Sequence, residues 1–110
     1  MNTNSTCTTT TASATNSATK PSHPALDHDA IKAAFAASTT PLLCSEQAYR
    51  YAQLSGEATD HGTAMALESV SRAFHEQRHM LREARDFGPA SHMTRKHSIA
   101  RDRALAEVGL

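Results

Sequence analysis

Apolar residues along this chain recur at helical spacing and almost nowhere alternate as strands require. The clearest stretch runs from about Thr63 to Phe87. Leu67, Val70, Phe74, Gln77, Leu81 and Ala84 follow a three–four spacing there, and Ala66, Ala73, Met80 and Phe87 widen the same stripe. A stripe that broad predicts a helix packed inside a bundle. Gly88-Pro89 predicts its end.

The flanking segments carry weaker versions of the pattern. Asp27 is placed to cap a first helix running to about Ala37, with Ile31 and Phe35 on one face. Ser38-Thr39-Thr40-Pro41 breaks it. Ser45 caps a second helix, with Glu46 in a first turn whose dipole favours a carboxylate. Pro41 after Thr40 is the alternative start. Ala48, Ala52 and Gly56 lay a strip of small residues along this helix, and Tyr49, Tyr51 and Leu54 supply its bulk. Gly56 or Gly62 ends it. Pro89 or Ser91 opens a fourth helix that runs to about Val108, with Gly109 as terminator. Its apolar face is thin: Met93, Ile99, Ala100, Ala104, Leu105 and Val108. No segment repeats another. The expected fold class is all-α: a small antiparallel helical hairpin or three- to four-helix bundle over residues 25–110.

Composition changes that picture at the N-terminus. Fourteen of the first nineteen residues are Thr, Ser or Asn, and none is charged. Such a stretch cannot bury enough apolar surface to offset the entropy of ordering, so residues 1–24 are expected to form a disordered tail. The core left to the remainder is thin, and association with a second copy is a common remedy. The wide stripe, with Leu67, Val70, Phe74 and Leu81 at its centre, is the expected packing surface and the candidate interface.

Net charge is zero, so no global field draws the protein toward nucleic acid or membrane. The charge is nevertheless unevenly placed. Residues 1–71 carry three Lys/Arg and six Asp/Glu, and residues 72–110 carry eight and five. Cys7 and Cys44 do not make a disulfide framework and read as free thiols of a reducing compartment. No basic leader followed by an apolar run opens the chain, and Ala33–Ala37 is far too short to span a bilayer. A soluble, cytoplasmic protein without a membrane partner is expected.

One string bears on chemistry. Residues 75–79 read HEQRH. His75 and His79 share a helix face and can reach one metal ion, and Glu76 can polarise a metal-bound water. The string resembles the H-E-x-x-H signature of zinc metalloproteases, which implies a zinc-dependent hydrolase using His75, Glu76 and His79. The resemblance covers five residues. Arg78 puts a charge inside a motif that the family keeps uncharged, and residues 80–86 hold neither the Gly nor the third His of the extended signature. His92 and His97 are the available third ligands, provided the fourth helix packs on the polar face of the third. Counting about 100° per residue from Leu67 centres the apolar stripe near 280°. His75 falls at about 80° and His79 at about 120°, nearly opposite. Glu68 with Arg72 and Arg82 with Asp86 make the expected ion pairs of a solvated face. Glu76-x-x-His79 also has the spacing of a di-iron carboxylate motif, but no second copy accompanies it.

The other candidate is the basic segment TRKHSIARDR, with Arg95, Lys96, Arg101 and Arg103. Phosphate contact is its functional reading, and a turn at Phe87-Gly88-Pro89 would allow a helix-turn-helix. No aromatic residue is interleaved to stack on bases. No nucleophile elbow or phosphate-cradling glycine loop is present. The leading expectation is a non-catalytic interaction or regulatory module, without cofactor, that meets a protein partner or a second copy through helix surfaces. A zinc hydrolase and a DNA-binding protein are the alternatives.

Overall fold

The computed structural model describes residues 26–110. The tail expected over residues 1–24, with Cys7, lies outside them. The described residues form four helices and no strand: α1 (His28–Ala37), α2 (Pro41–Glu57), α3 (His61–Phe87) and α4 (His92–Ala106). The all-α expectation holds.

Each helix begins on a side chain that satisfies an orphan backbone N–H. Asp27 accepts from Ala30 N at 3.0 Å, Thr40 from Leu43 N at 3.2 Å, Asp60 from Thr63 N at 2.8 Å and Ser91 from Thr94 N at 3.1 Å. Thr40 with Pro41 therefore starts α2, four residues ahead of Ser45, because the proline supplies a preset φ at a position that needs no N–H. Helix α2 also runs through Gly56 and stops at Glu57, before Gly62. Neither glycine terminates it. The chain turns where Asp60 takes over as the next cap. Helix α3 does end as the sequence indicates. Gly88 takes φ 93°, open to glycine at little cost, and its N–H reaches Ala84 O at 2.9 Å. Helix α4 stops at Ala106, and the chain folds back so that Leu110 N bonds Leu105 O at 2.9 Å.

Helix α3 is the central element, with α2 and α4 packed along it. Both pairings are antiparallel. Ser55 Oγ donates to Ala64 O at 2.6 Å, and Ser71 Oγ donates to Ala48 O at 2.7 Å. On the other side Glu107 meets Ser69, while Arg101 meets Gln77 and His97 meets Glu76. The α2 positions that face α3 are thus Cys44, Ala48, Tyr51 and Ser55. The small strip is only partly used: Ala48 is fully buried, whereas Ala52 is exposed and Gly56 has open space around it.

The core joins Leu26, Ile31, Ala48, Tyr51, Ala66, Val70, Phe74 and Val108. Phe74 sits at its centre, fully buried, with the Phe35 ring stacked at 3.7 Å and the Tyr51 ring at 5.6 Å. Leu67 packs against this core half-buried, and Leu81 is half-buried as well. Phe87 leaves the stripe and stands 71% exposed. His28 Nε2 lies 3.1 Å from Val108 O, which brings α1 and the C-terminal turn together.

Candidate functional site

The stripe on α3 is buried from two sides, and this changes the surroundings of the HEQRH string. On the count of about 100° per residue, Ser71 lies near 40°, on the α2 flank of the stripe. Ser69 lies near 200° and Glu76 near 180°, on the α4 flank. Helix α4 therefore packs along the edge of the stripe, against Gln77 and Met80, and onto the adjoining positions Glu76 and His79 that periodicity assigns to solvent. The enabling residues are small: Ser69 and Ala73 are buried and let the helices approach.

His75 is exposed, as the wheel places it. His79 is half-buried, because the ring of His97 stacks on it with centroids 5.0 Å apart. His97 Nδ1 lies 2.7 Å from Glu76 Oε1, and both side chains are largely covered. Burial, with the nearby His97 and Arg78 and to a lesser degree His75, holds the His79 imidazole below its ordinary pKa, against a pull upward from Glu76. The string is thus split: His75 faces out, while Glu76 and His79 join His97 at the α3–α4 seam. Among the described residues no group of three His, Cys, Asp or Glu side chains is gathered to hold a metal ion. His92 is exposed on α4.

The ion pairs drawn from i,i+4 spacing give way to others. Arg72 reaches Glu107 beyond α4 at 3.3 Å, and Asp86 accepts from its neighbour Arg85 at 3.2 Å. Glu107 continues α4 as its helical cap, and the antiparallel register of α4 on α3 brings it within reach of Arg72. Sequence spacing on α3 alone gives no sign of it.

The basic segment divides in the same way. Arg101 is turned inward. Its guanidinium donates to Gln77 Oε1 at 3.0 Å and to Ser98 Oγ at 3.4 Å, touches Met80 Sδ, and pairs with Asp102 at 2.9 Å. Gln77 in turn donates to Phe35 O at 3.1 Å and Ser38 O at 3.0 Å. The Cys44 thiol also points at Ser38 O, at 3.5 Å, and burial raises its pKa. The polar residue in the middle of the stripe is therefore a buried bridge from α4 through α3 to the end of α1. It was legible as a stripe member, but its partners depend on a register that only the packed structure supplies.

Arg95, Lys96 and Arg103 are exposed on the opposite side of α4. With His92, Ile99 and Ala100 they line one shallow depression. No carboxylate is among its lining residues, and Ile99 in its middle is 57% exposed. The antiparallel contact of α4 with α3, from His97 to Glu107, differs from a helix-turn-helix, whose helices cross at about 90–120°.

No protein-family model, curated protein or solved structure matches the chain. No helix of the described residues is long and apolar enough to cross a membrane.

Proposed function

We propose that the chain is a non-catalytic helical interaction module whose binding surface is the outward face of α4. The observation that carries this reading is the division of the cations on that helix. Arg101 is used inside the molecule, whereas Arg95, Lys96 and Arg103 gather around exposed Ile99 in one depression without a lining carboxylate. A basic patch with an apolar centre serves recognition better than solvation alone, because the charge steers an encounter and the apolar centre retains it. The central stripe of α3, with Leu67, Val70, Phe74 and Leu81, then supports the surface from within.

The test uses the tagged full chain and a variant with Arg95→Glu, Lys96→Glu and Arg103→Glu. The native chain is expected to retain a partner at low salt that the variant loses, with unchanged helicity by circular dichroism. Equal retention by a folded variant would contradict the reading.

A further inference from the structure

The exposed face of α4 runs from His92 to Arg103, about 17 Å of helix or three turns. Arg95 and Lys96 lie near its N-terminal end and Arg103 near its C-terminal end, and Ile99 stands between them. Two features of this arrangement gain nothing from the fold. Arg95 and Lys96 sit close to the positive end of the helix dipole, where no acidic residue accompanies them in the first turn. Ile99 holds more than half of its surface in water. Local choices that run against stability mark places where a sequence serves something else.

Resting on the α4 surface described above, we infer that its occupant is an acidic amphipathic helix of a partner protein. Carboxylates on such a helix would face Arg95 and Lys96 at one end and Arg103 at the other. An apolar side chain between them would cover Ile99. The choice against nucleic acid follows from the same residues. A phosphate backbone matches the cations but offers nothing that buries Ile99, and no Phe, Tyr or Trp lines the face to stack on a base; its one ring, His92, stands at the N-terminal end, away from Ile99. An amphipathic helix answers both the charge and the apolar centre, which is the usual logic of helix recognition through a few spaced anchors.

The experiment titrates the isotope-labelled full chain with a synthetic helical peptide that carries glutamates on both sides of one row of leucines. The same peptide with alanines for leucines, and a short DNA duplex, serve as comparison probes. Saturable shifts are expected at Arg95, Lys96, Ile99 and Arg103. Binding of the leucine peptide is expected to weaken about tenfold or more with Ile99→Ala, and likewise with Arg95→Ala and Lys96→Ala together. Spectra of the variants away from α4 report that they fold. Binding of both peptides alike, or duplex binding at α4 with no Ile99-dependent peptide binding, would overturn the acidic-helix inference and leave the α4 surface standing. Failure of every probe to move α4 resonances would overturn both.

Discussion

Phe74 is the residue on which the packing turns. It is fully buried between the rings of Phe35 and Tyr51, so Phe74→Ala opens a cavity that three helices share. A loss of about 3–5 kcal/mol is expected by urea denaturation. Gln77 tests a different term. Gln77→Leu keeps the volume but takes one donor from the Phe35 carbonyl, which keeps Ser38 N–H, one from the Ser38 carbonyl, which keeps only the Cys44 thiol, and the Gln77 acceptor from Arg101. A hydrogen bond lost costs about 0.5–1.5 kcal/mol, and one to a charged group more, so the three together are expected to lower stability by about 1–3 kcal/mol despite the gain in apolar surface. His79 carries the pH dependence. Its folded pKa is depressed, so the unfolded chain binds the proton more readily. Its contribution is unchanged above about pH 6.5, the ordinary histidine value, and turns destabilising as pH falls below it. Thermal melts between about pH 7.5 and 5.5 are expected to show a falling midpoint, and His79→Gln to flatten that fall.

At the scale of elements, what was readable depended on whether the deciding contact was local. Caps are local, and Asp27, Thr40 and Ser91 were all visible as candidates. So was the end of α3, because Gly88 needs only its own backbone freedom. The start of α2 was ambiguous because Ser45 is also a good cap; Pro41 decided it. Its end was not legible, because Gly56, a residue type that commonly stops helices, continues this one, with open space where a Cβ would stand. That position offers a clean check. Gly56→Ala has room and helical backbone, and is expected to stabilise the fold by about 0.5–1 kcal/mol. The flank of α3 that receives α4 was not legible. Glu76 and His79 look like solvent residues until His97 is brought opposite them, and that needs the register of the hairpin. The candidate site was legible further: helical spacing leans Arg95, Lys96 and Arg103 toward one side of α4, but that Arg101 turns inward onto Gln77 needs the register of the packed helices.

At the scale of the whole molecule, one helix serves two neighbours, and α4 serves two purposes. Its inner side is bonded into the bundle through Arg101, His97 and Ala104, while its outer side holds the cations and Ile99. The central claim is that these two sides are separable. The most direct measurement is a pair of urea denaturation curves, for Arg101→Ala and for Arg95→Ala, Lys96→Ala and Arg103→Ala together. Arg101→Ala is expected to lose about 1–3 kcal/mol, because Gln77 Oε1 loses its buried partner. The triple variant is expected to stay within about 0.5 kcal/mol of the native chain, since it removes exposed charges, two of them near the unfavourable end of the helix dipole and Arg103 near the favourable one. A triple variant that unfolds more easily than Arg101→Ala would place those cations in the fold and contradict the account.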